Sequence, residues 1–267
     1  MTPLVAMSAD GIEVRAREDG SGPVILILHA ARDDGSAWGR VAHRLSDRFR
    51  IVRPHRRQHR PDLDAVLPCS IATEVDDVLA LVGVVGGPVV VVGHSSGAVV
   101  ALEAMVAAPS MFVGAVLYEP PLVVGPPLGG EALLRARTAY AAGRAGTALT
   151  IFLRDVVEVR PALARLVATV TAAVPSRRVS VSHQLDDCAA VDELGVRLPT
   201  YAHLPVPTVL LGGSRSPAHF RERMAALAAV MPRAETVILR RQGHHANILA
   251  PGRVARVIAT HATRVFG

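Results

Sequence analysis

The chain has no lysine: its 29 Lys or Arg positions are all arginine, and its formal net charge is +6. Aromatic residues are also scarce, at 3% of the chain. Proteins that bind single-stranded nucleic acid combine positive charge with aromatic side chains that stack on the bases. This chain has a positive net charge but lacks those aromatic side chains and has no nucleic-acid-binding motif. We therefore expect that nucleic acid is not a partner.

The arginines are dispersed except in the segment RPHRRQHRP, residues 53–61. This cluster contains Arg53, Arg56, Arg57 and Arg60. We interpret it as a solvated loop, the usual place for a run of like charges. The alternative is a site for an anionic substrate, since guanidinium groups suit carboxylate and phosphate.

Cysteine is almost absent. Cys69 and Cys188 are far apart in the chain and lie in polar, loop-like stretches of sequence. Their separation fits neither metal-ligand spacing nor an implied structural disulfide. The sequence therefore predicts two free thiols and no metal site.

No apolar run is long enough to cross a bilayer. The longest, from Leu79 to Val92, is interrupted by glycines and by Pro88, and it is too short to span the hydrocarbon core. The N-terminal segment MTPLVAMSADGIEVR lacks the basic region and apolar region of a signal peptide. We therefore expect a cytoplasmic protein with no membrane partner.

Half of the 267 residues are hydrophobic, which is enough to bury a substantial core. Apolar runs indicate strands at 23–29, 49–55, 88–93, 114–119, 207–213 and 235–241. Helical spacing occurs at 36–47, 70–85, 96–108, 220–231 and 251–266. Continuous apolar strands alternating with helices predict a doubly wound, mostly parallel α/β sheet covered on both faces. Residues 11–19 add a predicted antiparallel strand at the edge.

Between residues 120 and 204 the strands stop. Helical periodicity instead appears in the stretches 131–143, 147–157 and 161–174. These stretches follow GPPLGG, a glycine- and proline-rich segment typical of a hinge. This predicts a helical cap over residues 120–204. The α/β core is then formed by residues 1–119 and 205–267.

A G-x-S-x-G motif, Gly93-His94-Ser95-Ser96-Gly97, stands between a predicted strand and a predicted helix. Such a turn strains the backbone of its central residue and admits only small residues two places to either side. It lifts the Ser95 hydroxyl above the sheet at a helix N-terminus, where negative charge is favoured. We predict that Ser95 is a catalytic nucleophile; the alternative is a glycine-rich turn with an incidental serine.

A serine nucleophile needs a base, and His244 and His245 both follow the last predicted strand. Here the chain resembles the α/β-hydrolase fold family. In that family a late strand is commonly followed by glycine-histidine, with a proline seven residues after the histidine opening the terminal helix. Gly243, His244 and Pro251 reproduce this spacing. The resemblance implies that His244 is the base, with His245 as the alternative or as a pocket-lining residue.

The position of the acid departs from the common family pattern. In the family, the strand PTVLLGG usually leads to an aspartate, but the matching position here is Ser216. Some members, haloalkane dehalogenases among them, carry the acid at the end of the preceding sheet strand, where this chain has Glu119. The resemblance therefore implies that Glu119 orients His244. The alternatives are an exposed glutamate without this role, or a Ser–His dyad.

An oxyanion hole needs two backbone amides. The family usually has His-Gly in the loop after an early strand, and the next residue donates; this chain has His29, Ala30 and Ala31. The resemblance implies that the amides of Ala31 and Ser96 are the donors. Ala30 replaces the glycine, and a left-handed conformation would cost alanine more. The candidate substrate-binding residues are His29, which also supports the loop, His94, Trp38 and His245.

These residues predict a serine hydrolase that forms an acyl-enzyme and needs neither metal nor cofactor. Pockets under helical caps tend to be apolar, so we expect an ester, thioester or lactone of a small, fairly apolar substrate. Two alternatives stay open. The same Ser-His-Glu site could serve a lyase, cyclase or carbon–carbon bond hydrolase, and the fold could act as a non-catalytic small-molecule receptor. The sequence does not indicate whether the protein is a monomer or an oligomer.

Overall fold

The computed structural model describes residues 2–60, 62–63 and 67–267. Its described residues form one sheet of eight strands, in the order β1-β2-β4-β3-β5-β6-β7-β8. Neighbours from β4 to β8 are parallel, and β2 is antiparallel to both β1 and β4. The strands are β1 (Thr2–Met7), β2 (Glu13–Asp19), β3 (Val24–Leu28), β4 (Arg50–Pro54), β5 (Val89–His94), β6 (Phe112–Tyr118), β7 (Thr208–Gly213) and β8 (Ala234–Leu239).

The helices are α1 (Gly39–Leu45), α2 (Ile71–Val85), α3 (Ser96–Ala107), α4 (Gly130–Ala141), α5 (Ala145–Asp155), α6 (Pro161–Ala172), α7 (Pro175–Leu194), α8 (Leu198–Tyr201), α9 (Ala218–Val230), α10 (Ala246–Leu249) and α11 (Pro251–Phe266). Local chemistry explains the starts of two of these helices. The Ser70 hydroxyl accepts a bond from the Thr73 amide at 3.1 Å and starts α2. Pro251 starts α11, where its missing N–H costs nothing. In the described part of the chain, no helix has the length and apolar character to cross a membrane.

The central strands are buried because both faces of the sheet are covered. Ile25 and Val90 belong to a cluster with residues of α1 and α11. Their neighbours Leu26 and Val91 point the other way, into a cluster with residues of α2 and α3. This alternation explains why the strands are apolar throughout. The predicted doubly wound, mostly parallel α/β fold is confirmed.

Three local expectations were incomplete. The strand predicted at 11–19 is antiparallel, but β1 lies outside it and forms the edge. The 20-residue helix α7 carries no clear apolar stripe in sequence, because its buried face includes His183 and Asp187. Cys188 lies on α7 rather than in a loop, and it is buried. Both cysteines are free thiols, as predicted.

Helices α4 to α8 occupy the chain between β6 and β7. Helices α4 to α7 share a hydrophobic cluster of their own, in which Leu149 and Ala136 are fully buried. Helix α7 also contacts the short turn at 57–59 that follows β4, as well as α2 and α3. The helical segment is thereby held against the carboxyl edge of the sheet. The assignment of residues 120–204 as a cap stays a prediction.

Candidate active site

Ser95 occupies the turn between β5 and α3, with φ 54° and ψ −128°. A residue with a side chain keeps a positive φ only where the surrounding structure enforces it. A Cβ atom at Gly93 would lie 2.4 Å from the Cα atom of Ala98. A Cβ atom at Gly97 would lie 2.4 Å from the carbonyl oxygen of His29. Both positions therefore require glycine, which explains the spacing of the motif.

His244 lies in the loop after β8, and its Nδ1 atom is 2.6 Å from Oε2 of Glu119. A carboxylate only accepts hydrogen bonds, so the proton of this contact belongs to His244 Nδ1. The other ring nitrogen, Nε2, is then unprotonated and able to accept a proton. Burial lowers the pKa of His244 well below its ordinary value, and the neighbouring His245 and His219 lower it further. The imidazole is therefore a neutral base at pH 7.

Glu119 follows β6 directly and is 0% exposed. It also has a positive φ, 48°, a second strained residue at the site. Its Oε1 atom accepts a hydrogen bond from the Gly213 amide at 2.7 Å. Burial raises the pKa of the Glu119 carboxyl, and the Ser216 hydroxyl and the Gly213 amide lower it. The alternative of an exposed glutamate is wrong.

Aromatic side chains hold His244 in place. Phe220 stacks on its ring with centroids 4.5 Å apart and an interplanar angle of 16°. The Tyr118 hydroxyl donates to the carbonyl of Gly243 and accepts from the amide of Ala246 at 3.0 Å. Tyr118 therefore fixes the histidine loop on both sides of His244. Sequence reasoning missed this role, although Tyr118 immediately precedes the predicted acid.

The structure brings the serine and the histidine to the same edge of the sheet. His94, which precedes Ser95, has its ring centroid 4.7 Å from that of His244. Its Nε2 atom lies 2.8 Å from the His244 carbonyl oxygen. Among the described residues, no hydrogen bond joins the Ser95 hydroxyl to His244. Such bonds are commonly long without substrate and tighten when the substrate binds.

The two predicted oxyanion donors, Ala31 and Ser96, lie on adjoining segments of backbone. Within the described residues, neither amide donates to a backbone carbonyl outside helices and strands. The replacement of glycine by alanine causes no strain, because neither Ala30 nor Ala31 has a positive φ; the left-handed residue of this loop is Arg32, with φ 59°. The role of the Ala31 and Ser96 amides as oxyanion donors stays a prediction.

Arg56 connects the two oxyanion segments, and sequence reasoning missed it. Its backbone amide donates to His29 Nε2 at 2.9 Å. Its guanidinium donates to the His29 carbonyl at 3.1 Å and to the Ser96 hydroxyl at 2.9 Å. The same guanidinium pairs with Glu74 at 2.6 Å and with Asp187 of α7 at 2.9 Å. The signal that could have located it is an arginine two residues after the end of β4, at the carboxyl edge of the sheet.

The arginine cluster at 53–61 is buried, so the solvated-loop interpretation is wrong; Pro61 lies outside the described residues. Each of the four arginines is at most 4% exposed. Each meets a carboxylate: Arg53 pairs with Asp19, Arg56 with Glu74 and Asp187, Arg57 with Asp10 and Asp77, and Arg60 with Asp62. Because these partners neutralise the cluster internally, it offers no free charge to an anionic substrate.

Three of the four candidate substrate-binding residues lie beneath the site. His29 and Trp38 are 0% exposed and His94 is 2% exposed, so they present no surface to a bound molecule here. Trp38 packs edge-on against His94 at 5.7 Å. His29 supports the oxyanion loop through its bond with Arg56, as expected. His245 is exposed, with its ring 5.5 Å from that of His244.

The described residues contain no cluster of three or more His, Cys, Asp or Glu side chains that could hold a metal ion. At this edge of the sheet lie the strained turn at Ser95, an imidazole held by a buried carboxylate, and the two segments predicted to supply oxyanion donors. This set of groups is the one used for acyl transfer through a serine.

The chain is similar in sequence and in fold to known hydrolases. The sequence profile of the alpha/beta hydrolase family matches residues 25–257. The solved structure of an alpha/beta hydrolase from Sphaerobacter thermophilus has a TM-score of 0.82 and 28% identity, and the match covers 97% of this chain and 99% of that one. Est816, described as an N-acyl homoserine lactone degrading enzyme, has a TM-score of 0.75 and 22% identity, over 96% of this chain and 99% of that one. At 22% identity, the similarity to Est816 shows only that the two proteins share a fold.

Sequence relatives match over shorter stretches. Lipase LipV of Mycobacterium tuberculosis is 37% identical over 102 residues, which are 38% of this chain and 38% of the lipase. The uncharacterized hydrolase YraK of Bacillus subtilis is 29% identical over 120 residues, 44% of each chain. The chain thus aligns with less than half the length of these relatives.

Proposed function

Because the chain belongs to the alpha/beta hydrolase family, we propose that it is a serine hydrolase that cleaves an ester, thioester or lactone. Ser95 is the nucleophile, His244 the base and Glu119 the acid. The observation that carries this proposal is the 2.6 Å contact between His244 Nδ1 and Glu119 Oε2, beside the strained turn at Ser95. A base held by a buried carboxylate is what activates a serine.

In the first step, Ser95 Oγ attacks the substrate carbonyl carbon while its proton passes to His244 Nε2. The carbonyl electron pair moves onto oxygen, where the amides of Ala31 and Ser96 stabilise the negative charge. Glu119 stabilises the imidazolium that forms. Collapse of the tetrahedral intermediate expels the alcohol or thiol, which leaves with the proton from His244. An acyl ester on Ser95 remains.

In the second step, His244 Nε2 takes a proton from water, and the hydroxide attacks the acyl carbon. The same two amides hold the second oxyanion. Collapse returns the electron pair to the carbonyl, breaks the bond to Ser95 Oγ and gives the proton back to the serine. The product is a carboxylic acid, or the opened hydroxy acid of a lactone.

The contact between His244 and Glu119 also supports an enzyme over a non-catalytic receptor. A buried carboxylate is costly unless it is paired and hydrogen-bonded. A binding protein gains nothing from placing one in a strained conformation against a neutral imidazole. Nothing in the geometry favours lyase or carbon–carbon cleavage over acyl transfer.

The test is steady-state turnover of p-nitrophenyl butyrate by the wild type, Ser95→Ala and His244→Ala. We expect the wild type to hydrolyse this ester. In each variant kcat should fall by about 10³-fold or more, because Ser95, His244 and Glu119 act as a unit. Ser110→Ala makes the same chemical change at an exposed serine and should match the wild type. Variants that turn over as fast as the wild type would contradict the proposal.

A further inference from the structure

Arg32 holds an unusual backbone conformation beside the oxyanion loop. It follows Ala31 directly, and its φ of 59° is in the left-handed region. Glycine adopts that region freely, whereas a residue with a side chain does so rarely. Strain of this kind concentrates at functional positions. The chain therefore keeps a long cationic side chain at a point where its backbone would favour glycine.

The contacts of Arg32 leave its charge without a carboxylate. Its Nη2 atom donates to the Thr171 hydroxyl on α6 at 2.8 Å. Its Nε atom is buried and has no hydrogen-bond partner. No ion pair involves this arginine in the part of the chain that the structure describes. The Nε atoms of Arg50 and Arg53 are also unpartnered, but those two guanidinium groups pair with Glu18 and Asp19. Arg32 differs because no described carboxylate meets it, and buried polar groups in proteins nearly always have partners, so its charge is free to take an anion from solution.

A second arginine adds to the positive charge. Burial lowers the pKa of the Arg32 guanidinium, and the charge of Arg177, near the start of α7, lowers it further. Arg177 is exposed, and it forms no ion pair with a described residue. In contrast, each buried arginine of the 53–61 cluster meets an acidic side chain. Arg177 therefore adds positive charge to the surroundings of Arg32, and neither arginine forms an ion pair with a described residue.

Arg32 lies between the proposed oxyanion loop and the helical segment, because it follows Ala31 and its side chain reaches Thr171 of α6. Its backbone is joined to that of Ala31, the proposed oxyanion donor. Its charge also reaches His245: desolvation lowers the pKa of His245, Glu119 raises it, and Arg32 lowers it. The His245 ring lies 5.5 Å from that of His244. A group bound by Arg32 would therefore lie next to the segment that carries the proposed oxyanion donor Ala31.

We propose that Arg32, assisted by Arg177, binds an anionic oxygen group of the substrate, a carboxylate or a phosphate, while the Ala31 amide holds the oxyanion. This inference rests on the proposed hydrolase function and specifies its substrate class. The substrate is a small ester, thioester or lactone with an anionic group a few bonds from the scissile carbonyl. This anionic substrate class replaces the fairly apolar substrate that was expected from the sequence.

The test compares two p-nitrophenyl esters with five-carbon acyl groups: the monoester of glutaric acid, which ends in a carboxylate, and the valerate, which ends in a methyl group. A hydrogen bond to a charged group predicts that wild-type kcat/KM for the glutarate ester is about 10- to 100-fold higher. Arg32→Gln should bring that ratio close to one, and Arg177→Gln should lower it in part. Arg165→Gln removes an exposed arginine from α6 and should keep the wild-type ratio.

Competition separates the two kinds of anion. Inorganic phosphate and glutarate are each added to the valerate assay. Stronger inhibition by glutarate that Arg32→Gln relieves assigns a carboxylate, and stronger inhibition by phosphate that Arg32→Gln relieves assigns a phosphate. A ratio that is the same in wild type and Arg32→Gln, with inhibition independent of Arg32, overturns the anion site.

A binding readout keeps the inference distinct from the hydrolase proposal. Glutarate or phosphate should raise the Tm of the wild type, because a ligand that binds the native state stabilises it, and should not raise that of Arg32→Gln. If neither ester is hydrolysed but this shift depends on Arg32, the hydrolase function fails and the anion site stands. If the esters are hydrolysed with no dependence on Arg32 in either readout, the anion site alone fails.

Discussion

His244 Nδ1 lies 2.6 Å from Oε2 of Glu119, a carboxylate at the end of β6. The end of β7 contributes the Gly213 amide to the other oxygen of the same group. Since β6 and β7 are neighbouring parallel strands, their carboxyl ends meet at one edge of the sheet. An acid carried by β6 can therefore serve a histidine that follows β8, and β7 needs only to supply a hydrogen-bond donor.

Glu119→Gln should lower kcat for an activated ester by about 10²- to 10⁴-fold with little change in KM. The side-chain amide introduced by this substitution has one acceptor oxygen, and both the Gly213 N–H and the His244 Nδ1–H compete for that oxygen. If Gly213 keeps the oxygen, the amide NH₂ faces His244 Nδ1 and forces the proton onto Nε2, so the histidine cannot act as a base. Glu193→Gln, at an exposed position, is the matched control. Turnover of Glu119→Gln equal to that of this control would move the role to another residue.

Arg56→Met should lower the free energy of unfolding by about 3–5 kcal/mol, because it leaves Glu74 and Asp187 as unpaired buried charges. Urea denaturation measures the difference. Arg256→Met removes an exposed arginine from α11 and should change stability by less than about 0.5 kcal/mol. A cost below about 1 kcal/mol for Arg56→Met would show that the buried network is not a structural requirement.

The dependence of kcat/KM on pH should reflect the lowered pKa of His244. Protonation of this histidine removes the base, so activity falls as pH drops through its pKa. Because burial places that pKa well below 6.5, we expect kcat/KM to stay level from pH 8 down to pH 6.5 and to fall only at more acidic values. A loss of half the activity at or above pH 7 would contradict the buried, neutral imidazole.

Stability should decrease on mild acidification. Burial lowers the pKa of His29, His94 and His244 well below the ordinary value, and lowers that of His59 to about 4. Near pH 6.5 the unfolded chain takes up protons that the native state does not. The free energy of unfolding is therefore greatest above pH 6.5 and falls towards pH 4, by up to about 1.4 kcal/mol per pH unit for each histidine. Urea midpoints that do not change from pH 7.5 to pH 4.5 would refute this.

The parts of the site that sequence could predict are those enforced by local backbone geometry. Steric contact makes glycine obligatory at Gly93 and Gly97, and the first turn of a helix accommodates a proline such as Pro251. These constraints act over a few residues, so they leave a readable spacing around Ser95 and His244. Glu119 was predicted through the resemblance to family members that carry the acid at this strand end, because Ser216 occupies the position where the family usually has an aspartate.

The parts that sequence could not predict depend on distant partners. Arg56 looks like one of a run of solvated arginines, because its partner Asp187 is 131 positions away. Only the packing of α7 against the core brings them together. Helix α7 was itself missed for the same reason, since the polar groups on its buried face satisfy one another and break the apolar period.

The most direct test of the account is intact-mass analysis of the wild type and Ser95→Ala after treatment with a fluorophosphonate probe. The probe reacts with a serine that has been activated by a neighbouring base. The account predicts one adduct on the wild type, located at Ser95 by peptide mapping, and none on the variant. An unlabelled wild type, or equal labelling of both proteins, would contradict an activated Ser95.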